Sequence, residues 1–197
     1  TAHLGNGCSI TAVDGGRSVD TSMGLTPLEG LVMGTRCGDI DPSIILHIMG
    51  REELNLSEAN TLLNKHSGLQ GLSGISSDVR DLIGEMEKGD ERAKLAIDIY
   101  CYRLKKYIGA YAAAMGGLDA LVFTAGVGQN SPLVRAKSCE GLEYMGLALD
   151  EKANLETVGK EADISRPDSR VKVFAIPTNE ELVIARDTER IVKGSGK

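Results

Sequence analysis

The stretch Leu118-Asp-Ala-Leu-Val-Phe-Thr-Ala-Gly-Val-Gly-Gln-Asn130 decides the fold class. Leu118, Ala120, Leu121, Val122 and Phe123 form a β-prone run that ends in glycines. Ser131-Pro132 then opens a helical stretch, Pro being suited to the first helical position. A strand entering a helix through a glycine turn is a unit of an α/β layer. Backbone N–H groups at such a turn, with the positive end of the helix dipole behind them, form an anion site, and Gly lets a ligand approach the backbone closely. A second glycine turn, His3-Leu4-Gly5-Asn6-Gly7, lies at the other end of the chain. Taken alone, a glycine turn more often serves a tight corner than a ligand. Neither is a Walker loop or a Rossmann fingerprint, since Gly-Lys-Ser/Thr and a clean G-x-G-x-x-G are both absent.

The chain has 197 residues, 42% of them hydrophobic, so a single domain can bury roughly 70% of its unfolded surface without covalent staples. Aromatics are only 4% and Trp is absent, which calls for an aliphatic, Ala/Gly-rich core. The net charge of −6 gives no electrostatic case for nucleic acid or an anionic membrane. Cys8, Cys37, Cys101 and Cys139 lack C-x-x-C spacing, so zinc and thioredoxin-type chemistry are not indicated, and four reduced thiols fit a cytoplasmic setting. No apolar run approaches the roughly 18 residues needed to span a bilayer, and no signal peptide is visible.

Cys8 to Val13 and Arg17 to Asp20, around Asp14-Gly15-Gly16, read as a β-hairpin. A helix is expected from Asp41 with Pro42 at its first position and Gly50 beyond its end, carrying Ile44, Ile45 and Ile48 on its apolar side. Ser57 is placed as the cap of a second helix running to about His66, and Ser77 as the cap of a third. The longest helix is expected over about Asp90 to Met115, with Ala93, Ala96, Ile97, Tyr100, Leu104, Ile108, Tyr111, Ala112 and Met115 at three- and four-residue steps and Gly116-Gly117 as its stop. A strand from Leu118 to Thr124, the glycine loop and a helix from Pro132 to about Leu142 follow. Val171 to Ile176 reads as a strand that leads through Pro177 into a helix from Asn179 to about Val192.

The segment from Asp20 to Pro42, with Thr26-Pro27 and Gly34-Thr-Arg-Cys-Gly-Asp-Ile-Asp-Pro42, resembles the signature of acetate kinase and its propionate and butyrate kinase relatives. In order, His3 to Gly7, Ser77-Asp78-Val79-Arg80, Gly126 to Asn130 and Pro177-Thr-Asn-Glu-Glu-Leu182 agree with it. The resemblance runs from Thr1 to about Arg190 and covers only the C-terminal half of the family's chain, which implies that this sequence is a fragment. It implies an α/β fold, the ribonuclease-H-like lobe shared by acetate kinases, sugar kinases, actin and heat-shock chaperones. Residues 1–197 would be one C-terminal nucleotide-binding lobe, with the family's N-terminal lobe absent.

That likeness also implies an activity: reversible transfer of the ATP γ-phosphate to acetate, propionate or butyrate, with Mg²⁺ on the phosphates, in a homodimer formed through this half. Phosphoryl transfer needs backbone donors, a cation near the transferring group and a carboxylate for the metal. By resemblance, His3, Leu4, Gly5, Asn6 and Gly7 form the phosphate loop, although Asn6 could be a turn former only. Arg36 resembles the arginine that stabilises charge on the transferring group; the competing reading pairs it with Asp39 or Asp41 on the surface. Pro27 matches a proline lining the acyl pocket, or starts a helix after Thr26. Asp78, Val79 and Arg80 resemble the adenosine segment, or form the charged first turn of a helix. Gly126, Val127, Gly128, Gln129 and Asn130 would complete the adenosine site. Glu180, rather than its neighbour Glu181, resembles the Mg²⁺ ligand, against plain acidity at a helix start. His47 and His66 read as structural or solvated.

Departures from the family pattern are Cys37 for Ser, Gln129 for Glu and Ala125 for Gly. The family's carboxylate clamp belongs to its other lobe. A non-catalytic, actin-like nucleotide switch and a pure dimerisation lobe are the alternatives, and Arg36 argues against the former.

Overall fold

The structure is a computed structural model that describes residues 1–194; Ser195, Gly196 and Lys197 of the expected 1–197 lobe lie outside the described residues. Strand β1 (Ala2–Leu4) turns back into β2 (Cys8–Asp14), and β3 (Arg17–Thr21) completes an antiparallel meander. Alternate residues of β2 are buried, Cys8, Ile10 and Ala12 facing the core. Strands β4 (Ala120–Thr124), β5 (Ala162–Asp163) and β6 (Lys172–Ala175) extend the sheet to six strands in the order β3-β2-β1-β4-β6-β5. Strands β1, β4 and β6 run parallel. Their carboxyl ends therefore share one edge, where ligands of open α/β sheets bind.

Helices α1 (Pro42–Arg51), α2 (Leu56–Lys65), α3 (Gly68–Ser73), α4 (Val79–Glu87) and α5 (Glu91–Met115) lie between β3 and β4. The expected long helix is α5, with Asp90 capping its first turn through Ala93 N–H and Gly116 in the left-handed conformation ending it. Of the nine apolar positions anticipated from its periodicity, the eight from Ala93 to Ala112 are buried, with Cys101 beside them, and Met115 is only half-buried in the last turn. Beyond β4 come α6 (Ala125–Asn130), α7 (Pro132–Cys139), α8 (Glu151–Glu156) and α9 (Glu180–Gly194).

Several boundaries differ from expectation for identifiable reasons. Asn55, not Ser57, caps α2, since its side chain accepts from Ser57 and Glu58 N–H while Glu58 reaches back to the Asn55 N–H in a capping box. Asp78, not Ser77, caps α4 by accepting from Arg80 N–H. Gly50 lies inside the last turn of α1 rather than beyond it. Helix α1 has no buried residue; Ile45 and Ile48 only half-cover a shallow contact with Leu62 and Leu63 of α2, and Ile44 is exposed. The strand expected from Leu118 starts at Ala120, the helix expected to reach Leu142 ends at Cys139, and the strand expected over Val171 to Ile176 spans Lys172–Ala175. The last helix begins one residue after Asn179, whose side chain accepts from Leu182 N–H, and continues past Val192. The glycine loop is itself helical, as α6.

The cysteines are free thiols, Cys8, Cys101 and Cys139 buried and Cys37 half-buried. Burial pushes the Cys8 thiol up from an ordinary 9.0 to about 11, and Cys101 and Cys139 to about 12. Below pH 9 the thiols are protonated in both the folded and the unfolded chain, so the contribution is complete. Above that, the unfolded chain releases protons that the folded one keeps, and stability falls as pH rises toward 11 to 12. Urea midpoints are expected to stay level up to about pH 9 and decline above it; a midpoint that rises between pH 9 and 11 contradicts the burial of neutral thiols.

Candidate functional site

Register along β1 and β4 brings the two glycine turns together. His3 stands opposite Thr124, so the β1–β2 turn Gly5-Asn6-Gly7 and the β4–α6 corner project from the same sheet edge. Gly5 N–H donates to Gly7 O at 3.1 Å, and Cys8 Sγ donates to Gly5 O at the same distance. Cys8 Sγ also lies 3.1 Å from the buried Tyr100 hydroxyl of α5. The turn is thus seated on the long helix. At the start of α6, Ala125 occupies the left-handed region at φ 62°, where Gly would be unstrained.

Beyond the turn opens a cavity of about 910 Å³. Gly5 and Asn6 form one end, Ser77 to Arg80 with Ile83 form one wall, and Gly126, Val127 and Asn130 with Pro132 and Leu133 form the other. Leu69, Leu155 and Val158 close it with apolar surface that no motif had marked. Asp78 Oδ1 caps α4, while both its oxygens accept from the Arg80 guanidinium, at 2.6 Å for the shortest contact. That guanidinium holds the Asp78 carboxyl below its ordinary range. Arg80 itself is exposed. The charged-first-turn arrangement is therefore present, and it sits on the cavity wall. Of the adenosine-loop candidates, Gly126, Val127 and Asn130 line the cavity, whereas Gly128 is buried beneath it and Gln129 Oε1 is buried without a partner among the described residues.

Fully buried Arg135 holds that wall in place, although nothing in the sequence singles it out. Its guanidinium donates to Gly128 O at 2.8 Å, Asn154 Oδ1 at 2.7 Å, Asn154 O at 2.9 Å and Thr157 O at 2.6 Å. No carboxylate pairs with it among the described residues. The acceptors are carbonyls near the C-terminal ends of α6 and α8, where partial negative charge collects and a cation is favoured. One side chain thus ties both helices to α7.

Residues 22–41 connect β3 to α1 without regular structure, yet Leu31, Val32 and Met33 are buried. Gly34 N–H donates to Asn6 O at 2.9 Å, and a Cβ at Gly34 would displace the Asn6 side-chain amide and press on Ser77 O, so glycine suits the close approach of this segment to the turn. Arg36 Nη1 donates to Pro27 O at 3.1 Å and would lie 3.2 Å from a Cβ at Gly7. Arg36, Pro27 and the glycine turn thus meet. The surface pairing of Arg36 with Asp39 or Asp41 does not occur: Asp39 binds Arg103 at 3.0 Å and Tyr107 at 2.8 Å, and Asp41 caps α1 through Ser43 N–H. Arg36 makes no ion pair among the described residues. Pro27 lies in a turn, with no helix starting there. Cys37 Sγ donates to Gly38 O at 3.1 Å. His47 and His66 are exposed, as expected of solvated residues.

Thr178 Oγ1 lies 2.6 Å from Thr124 Oγ1 and accepts from Ala125 N–H at 3.1 Å, anchoring the entry to α9 at the β4–α6 corner. Glu180 opens α9 two residues later; it is exposed and engaged in no ion pair among the described residues. No group of three metal-ligating side chains occurs among the described residues. Glu180, with Glu181 beside it, offers a carboxylate of the kind Mg²⁺ takes singly or in pairs while keeping several waters.

Over residues 1–186 the sequence matches the acetokinase family. The chain belongs to the acetokinase family. It is 61% identical over 193 residues to acetate kinase of Halothermothrix orenii, covering 98% of this chain and 48% of that protein. Identity to acetate kinase of Symbiobacterium thermophilum is 58%, with the same two coverages. The crystal structure of Porphyromonas gingivalis acetate kinase superposes with a TM-score of 0.94 at 51% identity, covering 97% of this chain and 48% of that one. A propionate kinase from Francisella tularensis gives 0.86 at 47% identity, covering 93% and 47%. The α/β fold is that of acetate kinases, as expected. The chain spans about half the length of the curated relatives it matches.

Proposed function

We propose that this chain is the nucleotide-binding lobe of a kinase that moves the γ-phosphate of ATP reversibly to acetate, giving acetyl phosphate and ADP. One observation carries the reading: Arg36, uncommitted to any carboxylate among the described residues, lies against Gly7 of the phosphate turn and against Pro27. A switch that merely senses nucleotide has no need of such a cation. In this reading the adenosine lies in the cavity between α4 and the α6–α7 wall, with Val79, Ile83, Val127 and Leu133 offering apolar surface. The ribose lies beside the Asp78–Arg80 pair, where a hydroxyl replaces one of the exposed Arg80 guanidinium contacts on the carboxylate. The phosphates reach the N–H groups of Asn6 and Gly7. Glu180 would hold Mg²⁺ supplied with ATP, and the ion would neutralise charge on the phosphates. An acid oxygen, already ionised at neutral pH, attacks the γ-phosphorus in line as the bond to the β-phosphate oxygen breaks, with Arg36 meeting charge on the equatorial oxygens. Pro27 borders the place for the acid's methyl group. The acid's carboxylate clamp belongs to residues outside these 197, which fits the twofold length of the relatives. Propionate is the second reading, favoured by the likeness to the Francisella propionate kinase. Four free thiols suit a cytoplasmic location.

Arg36→Ala in the full-length kinase is expected to lower kcat by about 10² or more with smaller changes in KM for ATP, and Arg36→Lys to recover only part, since it lacks the bidentate fork. Coupled-assay kinetics measure this; near-normal kcat removes Arg36 from the chemistry. The 197-residue chain alone is expected to form no acyl phosphate from ATP and acetate, and turnover by it overturns the division of labour. A homodimer through this lobe is part of the same reading, supported by Leu95 and Tyr102, which stand exposed along α5. Sedimentation equilibrium of the chain should give a dimer. A monomer at high micromolar concentration contradicts it.

A further inference from the structure

Gly30 and Asp39 close the segment that carries Arg36. Asp39 N–H donates to Gly30 O at 3.0 Å, and Asp39 Oδ1 accepts from Gly30 N–H at 2.8 Å, so a backbone bond and a side-chain bond join the two ends of residues 31–38. The other oxygen faces helix α5. Oδ2 accepts from the Tyr107 hydroxyl at 2.8 Å and pairs with Arg103 Nη1 at 3.0 Å, and Arg103 Nη1 also reaches Asp39 O at 3.3 Å. Burial, with the Asp39 carboxylate next, raises the Tyr107 phenol, so it remains a donor at neutral pH. Both oxygens of one carboxylate are thereby fixed, one on the loop and one on the longest helix.

The two limbs of the loop are held differently. On the limb before Arg36, Gly34 N–H bonds Asn6 O, while Met33 and Gly34 carbonyls accept from Leu69 and Gln70 N–H of α3. On the limb after Arg36, Cys37 N–H bonds Leu63 O of α2 at 3.1 Å, and the connection to α5 runs through Asp39, by its carboxylate and its carbonyl. Helix α5 also carries Tyr100, which supports the glycine turn through Cys8. Tyr100, Arg103 and Tyr107 are spaced to share one face of that helix. The same rigid element therefore indexes both the phosphate turn and the arginine opposite it.

We infer that Asp39 is a positioning residue for phosphoryl transfer: its latch onto Gly30, Arg103 and Tyr107 sets the distance between Arg36 and the phosphate turn. This rests on the catalytic reading of Arg36. The latch is a poor candidate for a mainly stabilising device, because the Arg103 and Asp39 side chains are 25% and 38% exposed and such pairs contribute little to global stability. Its consequence is geometric. Displacement of a reacting or charge-stabilising group by about 1 Å can cost on the order of 10²-fold in rate.

The test is a kinetic cycle in the full-length kinase, using Asp39→Asn, Tyr107→Phe and Arg36→Ala singly and each latch variant combined with Arg36→Ala. Asp39→Asn is expected to lower kcat about 10- to 100-fold with KM for ATP within about twofold, and Tyr107→Phe to lower kcat less, in the same pattern. In the Arg36→Ala background neither substitution should lower kcat further, because the group they position is gone. A purely structural role predicts equal losses in both backgrounds. Normal kcat in both latch variants, or losses that multiply with that of Arg36→Ala, overturns the inference. Should Asp39→Asn fail to fold, Tyr107→Phe removes one hydrogen bond at nearly constant shape, and an unchanged kcat there overturns it equally. If Arg36→Ala itself leaves kcat intact, the catalytic reading fails first, and that outcome is distinct from the others.

Discussion

The parallel pairing of β1 with β4, with Ala2 opposite Phe123 and His3 opposite Thr124, makes one site from motifs at distant points of the chain. Each strand ends in a glycine-bearing turn, and two strands in register must deliver their turns to the same edge. Strand β6 adds Pro177 and Thr178 to that edge by pairing with β4. Without this register the β1–β2 turn would have no cavity beside it, and α6 would present its backbone to solvent. The pairing is held by apolar burial: Ala2, Leu4, Phe123, Val173 and Ala175 are fully buried in one contiguous core. Such burial contributes roughly 25 cal/mol for each Å² removed from water.

Helix α5 supplies the second constraint. It packs against β2, α3, α4 and α7 and reads out to the site through Tyr100, Arg103 and Tyr107. The contrast between the two cations nearby is instructive. Arg135 is spent on carbonyl oxygens of the protein, with no carboxylate partner among the described residues, and serves to hold α6, α7 and α8 together. Arg36 has one carbonyl and one thioether sulfur as partners, which leaves most of its donors for an incoming group. A guanidinium has five N–H donors, so the difference lies in how many the protein itself consumes.

Periodicity made α5 legible almost to the residue, since a long helix against a sheet must repeat apolar residues at three- and four-residue steps. Glycine punctuation marked the β2–β3 hairpin and the end of α5 for an equally direct reason. Caps were less legible because Asn, Asp and Ser compete on nearly equal terms, although Asn55 with Glu58 is a capping box that was open to reading. Helix α3, Gly-Leu-Gln-Gly-Leu-Ser, has poor propensity and depends on tertiary bonds from Leu69 and Gln70 N–H to Met33 and Gly34. The residues meeting at Arg36 were marked by motif resemblance. The partners that free Arg36, namely Arg103 and Tyr107, come from a helix far along the chain, and a single sequence carries no sign of that contact. Arg135 was likewise invisible, because its acceptors are three backbone carbonyls and one Asn154 amide oxygen rather than a carboxylate.

A crystal structure of the chain soaked with ADP tests the central claim most directly. The account predicts adenine between Ile83 of α4 and Val127 or Leu133 of the opposite wall, with β-phosphate oxygens within hydrogen-bond reach of the Asn6 and Gly7 N–H groups and facing Arg36. ADP bound elsewhere, or phosphates turned away from the β1–β2 turn with the cavity filled only by solvent, would contradict it.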